Sequence, residues 1–220
     1  MDSIGGFHQE VIEARERKGK NLPIKQAVNI YPLKPGGASF RTHKLVQVSS
    51  SKMAYQPSIF AIVFCSLFLF IGIGLLSYNA YLITNKDAII SSNFSVISII
   101  AGVIFSIIGG VFLFSIITPR VFDKRINLYY KSFSYSLRYM GTSKKAHKLS
   151  SIIALQIIGE HVNSGDNPYK SFELNIVLND ASRKNVVDHG NLKSIVSDAK
   201  ILSEFLNIPI WHATSHVETD

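Results

Sequence analysis

Charge is missing from two long stretches of this chain. None lies between Lys52 and Lys86, and none between Asp87 and Arg120. Charged residues make up 17% of the sequence and apolar ones 47%, against roughly 25% charge in soluble domains, and the deficit sits in the middle of the chain. Cysteine is almost absent as well. The single thiol, Cys65, excludes a disulfide within the chain and reads as a small packing residue. The opening residues MDSIGGFHQEVIEARERKGK lack an apolar run, which predicts no cleaved leader and two apolar runs that persist.

Those runs are Ser58–Thr84 and Phe94–Ile117. A helix of 24 residues reaches about 36 Å at ~1.5 Å per residue, enough to cross a hydrocarbon layer about 30 Å thick. Neither run has the polar face of a soluble core helix, so both predict membrane spans. The connection Asn85–Asn93 is short, so the helices run antiparallel. Nine Lys or Arg precede the first span and thirteen follow the second, with one Lys in the connection. This bias predicts both termini in the cytoplasm. Pro119 ends the second span, and Arg120, Lys124 and Arg125 mark the inner interface.

Ser98, Gly102, Ser106 and Gly110 recur every four residues, a small face that lets another helix approach. Packing inside the hairpin, against Gly72 and Gly74, is the first reading. A homo-oligomer seam is the alternative. Neither span core carries a charge, which argues against an ion or proton pathway.

Residues 1–57 read as a polar, basic, poorly ordered arm in which HKLVQVS alternates like a short strand. Arg41 and His43 read there as solvated, with lipid phosphate as the alternative partner. Residues 118–212 read as an α+β cytoplasmic domain. RINLYYKSFSYSLRYMG and KLSSIIALQIIGEHV are strand-like, and SFELNIVLNDASRKNVVDHGN is a hairpin turning at Asn179–Ser182. Leu192, Ile195, Val196, Ala199, Leu202, Phe205 and Leu206 share a helical face, with Asn191 as cap and Asn207 and Pro209 as stop. IPIW packs back on the sheet, and residues 213–220 form a loose tail.

A two-span hairpin joined to an antiparallel sheet closed by a C-terminal amphipathic helix resembles uncharacterised bacterial inner-membrane proteins with a pleckstrin-homology-like cytoplasmic domain. The stretches VFDKRINLYYK, LSSIIALQIIGE, SFELNIVLNDASRKNVVDHG and DAKILSEFLNIPIW carry the resemblance. It implies binding or scaffolding, assigns no catalytic residue, and suggests that a basic loop can grip phosphates. Lys144, Lys145 and Lys148 are the candidates, with a solvated turn as the plainer reading.

Asp188 and His189 are adjacent, so in a strand they face opposite ways; with Gly190 they read as a strand-to-helix turn. Glu160-His161 reads as a solvated rim. The aromatic set Tyr129, Tyr130, Phe133, Tyr135 and Tyr139 reads as core and interface belt. The seven histidines are scattered and no metal, cofactor or catalytic constellation is expected. The net charge of +8 suits acidic lipids, and no nucleic-acid signature is present. The expected function is a non-enzymatic adaptor of the bacterial inner membrane that recognises a protein partner or acidic lipid. The alternatives are an immunity protein against a membrane-acting toxin, and an accessory subunit of a transporter or enzyme.

Overall fold

The computed structural model describes residues 22–85, 92–133, 146–163 and 167–214. The chain divides into two units, one built from residues 41–125 and 129–146 and the other from residues 1–40, 126–128 and 147–220.

The first of these units holds the hairpin. Helix α2 spans Ile59–Asn85 and α3 spans Ser92–Ile117. Both are long and apolar enough to cross a membrane. Phe60, Val63, Phe70, Ile97, Ile107 and Phe114 are among many large apolar side chains that these helices expose. A surface of that kind suits lipid and not water. Ser58 opens α2, its Oγ accepting the N–H of Ala61 at 3.1 Å. At the far end of α3, Thr118 returns its hydroxyl to Phe114 O at 2.6 Å, and Pro119 then prevents another turn.

Strands β1 (His43–Ser49) and β2 (Lys52–Pro57) precede the hairpin, and β3 (Arg120–Asp123) and β4 (Leu128–Lys131) follow it. The strands of this unit are ordered β1-β2-β3-β4, and β5 (Ala146–Lys148) follows in the chain. The β1–β2 ladder pairs Leu45 with Tyr55, and the β2–β3 ladder pairs Tyr55 with Arg120 and Lys52 with Asp123. Met53, Tyr55, Val121, Phe122, Tyr129 and Tyr130 are among its buried side chains, with the Phe122 and Tyr129 rings 4.6 Å apart. The alternation in HKLVQVS therefore forms the expected strand. Burial pushes the Tyr129 hydroxyl up to about 12, despite the nearby Arg120 charge.

The other unit is a four-stranded sheet in the order β8-β7-β6-β9, made of β6 (Ile152–Val162), β7 (Tyr169–Leu178), β8 (Arg183–His189) and β9 (Ile210–Thr214). β6, β7 and β8 are antiparallel neighbours, whereas β9 lies parallel to β6. The sheet is thus mixed. The expected antiparallel sheet closed by its last helix gains a strand after that helix, because IPIW adds to the free edge of β6 and buries Trp211.

Helix α4, Leu192–Leu206, starts where Asn191 Oδ1 accepts the N–H of Ser194 at 2.9 Å. It stops at Asn207, which takes the left-handed conformation (φ 55°). Ile195, Ala199 and Leu202 are fully buried, but Leu192, expected on the same face, is exposed at the first turn. The hairpin β7–β8 turns through Asn179–Ser182, with Ala181 at φ 64° and Ser182 N bonded to Asp180 Oδ1 at 2.9 Å.

Alternation on β7 splits the sheet into two faces. Leu174 and Ile176 lie on one, Ser171, Glu173, Asn175 and Val177 on the other. All six are buried, so both faces are covered. The second cover comes from the N-terminal stretch. A short helix α1, Leu22–Ala27, leads into it. Val28 packs with Ala154, Val177 and Trp211. Of the arm expected to be poorly ordered, residues 22–40 are therefore a strap bound to a sheet, and residues 43–57 form β1 and β2.

Candidate functional site

The strap is held by its main chain. Glu173 accepts the N–H groups of Leu33 (2.8 Å) and Lys34 (3.2 Å), and Glu160 accepts that of Gly36 at 3.0 Å. Gln156 Nε2 donates to Asn29 O at 3.1 Å, and Arg183 Nη1 donates to Tyr31 O at 2.9 Å and to Gln156 Oε1 at 3.1 Å. Further along, Tyr169 donates to Gly37 O (2.8 Å) and Ser171 to Ala38 O (3.2 Å). The N–H of Gly190 reaches Phe40 O at 3.2 Å. Two glycines make the approach possible. A Cβ on Gly37 would overlap the Ser171 hydroxyl, and one on Gly190 would overlap the carbonyl of Ser39.

This grip turns strap side chains outward. Ile30, Tyr31 and Leu33 are 46%, 65% and 41% exposed. Three large apolar groups within four residues, held on a fixed backbone, form a small patch that water does not favour. Lys34, next in the chain to Leu33, is exposed, as is Lys25, whose Nζ lies 5.9 Å from the Trp211 ring. Glu160 is thus a strap ligand as well as part of an exposed rim, and its neighbour His161 is exposed. Asp188 accepts from Asn185 at 2.6 Å, and His189 is fully buried and accepts the N–H of Asn191 at 3.4 Å. These two residues pair with Glu173 and Phe172, on opposite faces of β7, so they do not act as a pair. Burial lowers the Arg183 guanidinium, and the Glu173 charge acts against that shift.

In the hairpin unit the candidates separate. Arg120 is half-buried in β3, with its guanidinium against the His43 imidazole. His43, expected to be solvated, is 2% exposed, with Nδ1 2.9 Å from Thr42 Oγ1 and Nε2 3.2 Å from Ile116 O. Lys124 and Arg125 are exposed. Arg125 also serves Asp123, donating its N–H to Oδ1 at 3.0 Å, while Lys52 lies 3.5 Å from Oδ2. Burial pushes the Asp123 carboxyl up, but the Arg125 hydrogen bonds and the Arg125 and Lys52 charges outweigh it and hold the group below its ordinary value. Lys148 is exposed in the other unit. Lys144, Lys145, Tyr135 and Tyr139 lie outside the described residues, while Phe133 is exposed beside Phe114.

The helix-packing set is partly redrawn. Gly102 is buried, and a Cβ there would meet Leu76 at 2.9 Å and Gly72 O at 3.2 Å; one on Gly72 would meet Ser106. Gly110 and Gly74, however, face open space, and Gly109 takes the contact, against the Leu69 and Phe68 backbone. The reason is helical phase. At about 100° per residue, twelve residues rotate Gly110 about 120° away from Ser98, whereas eleven return Gly109 to within about 20°. Ser98 holds a polar bridge that the sequence reading missed. Asn79, 4% exposed, donates to Ser98 Oγ at 2.9 Å and accepts from it at 3.1 Å. The one amide deep in an apolar run was the available signal.

Among the described residues no cluster of His, Cys, Asp or Glu could hold a metal ion. Comparison with family models, with curated proteins and with solved structures returned no match.

Proposed function

We propose that this protein is a non-enzymatic adaptor of the bacterial inner membrane. In this reading the hairpin anchors the chain, both termini are cytoplasmic, and the sheet unit recognises a protein partner. One observation carries it: the strap is fixed through its main chain while Ile30, Tyr31 and Leu33 point away from the sheet. A segment that served only to cover the sheet would turn its apolar side chains inward. Presenting them on a fixed backbone lowers the ordering cost of a contact. The pleckstrin-homology-like resemblance points the same way, towards binding.

The test is photocrosslinking in cells. A photoreactive residue at Tyr31 of the full chain should give one dominant adduct. Changing Ile30 and Leu33 to Ser should abolish it. Absence of any protein adduct, with the protein correctly inserted, removes the adaptor reading. Protection of cells from a membrane-acting toxin that survives the same double substitution would replace it with the immunity reading.

A further inference from the structure

The sheet face under the strap is polar. Ser171, Glu173 and Asn175 on β7 and Gln156 on β6 are all buried there. Alternation puts the three β7 residues on one side with Val177, and Gln156 pairs with Asn175 across the ladder. A face that needed only a cover would be apolar, because a buried polar group costs free energy unless it is bonded.

These side chains grip main chain. Glu173 and Glu160 take the N–H groups of Leu33, Lys34 and Gly36. Gln156, Arg183, Tyr169 and Ser171 take the carbonyls of Asn29, Tyr31, Gly37 and Ala38. Each of these bonds ends on a backbone atom, so the grip does not read strap side chains. Apolar burial adds little to it. From Ile24 to Phe40, Val28 alone is buried, and hydrogen bonds exchanged for water on release contribute modestly. Residues 29–40 thus belong to the low-stability end of the unit, where a segment opens while the β6–β7 ladder stays closed.

Asn175 points to another occupant. Its amide is fully buried, and neither Oδ1 nor Nδ2 has a hydrogen-bond partner. It lies between Glu173, which holds the strap, and Val177, which packs on Val28. The strap therefore shuts this amide from water without serving it, which disfavours the closed state. The strap of a second copy would make the same contacts and leave Asn175 as it is. A segment of different sequence, with a polar side chain at this place, would satisfy it.

We propose that the polar face of β6 and β7 is a binding site for an extended segment of a partner protein, gripped by its main chain, and that the strap fills it in cis until such a segment replaces it. The segment offers N–H groups to Glu173 and Glu160, glycine where the chain passes Ser171, and a polar side chain to Asn175. The site is separate from the outward Ile30, Tyr31 and Leu33 patch on which the adaptor reading rests.

The test is fluorescence anisotropy of the full chain in detergent with a labelled peptide of residues 28–40, VNIYPLKPGGASF, and a set of versions carrying Gln at one position each. Gly37→Val, which lifts the resident strap, should raise binding of the plain peptide about tenfold. Val28→Ala, which trims the buried anchor of the strap, should raise it by a second route and guards against a folding defect in the first variant. At least one Gln version should bind about tenfold better than the plain peptide, the gain from serving one buried amide. Asn175→Leu, which keeps the shape, should cancel that gain and slow exchange of the Leu33 amide in the protein alone. Binding that no Gln version improves, or an improvement that Asn175→Leu leaves intact, overturns the proposal. A dimer of the Gly37→Val chain in native mass spectrometry, dissociated by the plain peptide, also overturns it, in favour of a second copy's strap. Changing Ile30 and Leu33 of the protein to Ser removes the patch of the adaptor reading and should leave peptide binding unchanged, so the two readings fail separately.

Discussion

Glu173 in β7 accepts the main-chain N–H of Leu33, 140 residues earlier in the chain, at 2.8 Å. That bond joins the N-terminal strap to the centre of a sheet formed by the last third of the protein. Its acceptor is a carboxylate only 4% exposed, and such a charge needs donors where water is excluded. The strap supplies them.

Glu173→Ala is therefore expected to do more than remove one contact. It leaves two strap N–H groups without their acceptor, costing about 2 kcal/mol. Hydrogen exchange should show the Leu33 and Lys34 amides losing protection while the β6–β7 ladder keeps it. Equal loss in both would mean that the carboxylate supports the whole sheet and not the strap.

Gly37 provides a steric version of the same experiment. Gly37→Val drives a side chain into the Ser171 hydroxyl and should lift the strap around residues 36–38. Ser171→Gly in the same chain should recover part of the loss, measured by thermal unfolding in detergent. Destabilisation by Gly37→Val that Ser171→Gly leaves untouched would argue against that close approach.

The hairpin predicts a contrast between neighbours. Gly109→Leu should separate α2 from α3 at Leu69, whereas Gly110→Leu should be tolerated, since a Cβ there meets open space. Cysteine crosslinking between the helices, in a Cys65→Ala background, reads the difference. Similar effects from the two variants would reject the assigned helical phase, and damage from Gly110→Leu alone would favour the oligomer seam.

Asn79→Leu removes one side of the Asn79–Ser98 bridge and should cost about 0.6 kcal/mol and no more than about 1.7, the average and the maximum for hydrogen bonds between membrane helices. Asn79→Leu combined with Ser98→Ala should cost little more than Asn79→Leu alone, because the two side chains serve each other. Additive losses in unfolding measurements would show that they act separately.

Asp123 predicts an acid limb. Its folded carboxyl lies below the ordinary value, so the unfolded chain binds the proton more readily. The resulting stability is fully present above the unfolded value near 4 and is lost as pH falls through the folded one. Asp123→Asn should flatten the pH dependence of unfolding in that acidic window and change little in shape above about pH 5. An unchanged acid limb would show that other carboxylates dominate it.

The sequence by itself determined the features that depend on nearby residues. Two charge-free runs required helices with an apolar surface, and α2 and α3 have it. Period-two alternation set β1 and the β7 face of Leu174 and Ile176. Asn191, Asn207 and the Asn179–Ser182 turn sit where they do because caps and turns are chemistry within a few residues.

Tertiary structure decided what depends on distant partners. LPIKQAVNIYPLKPGGASF has three internal prolines and no clear period, so nothing local marks it as bound. Its order comes from Glu160, Glu173 and Arg183, more than a hundred residues away. Likewise the strand-forming character of IPIW was legible, but its parallel pairing with β6 was not, since strand direction follows from which edge α4 leaves available. His43 became buried through Thr42, Ile116 and Arg120, residues brought together only when the hairpin returned the chain to the same sheet. Local pattern sets an element's type because its bonds close within a few residues, while the partner that holds it is chosen by packing across the whole chain.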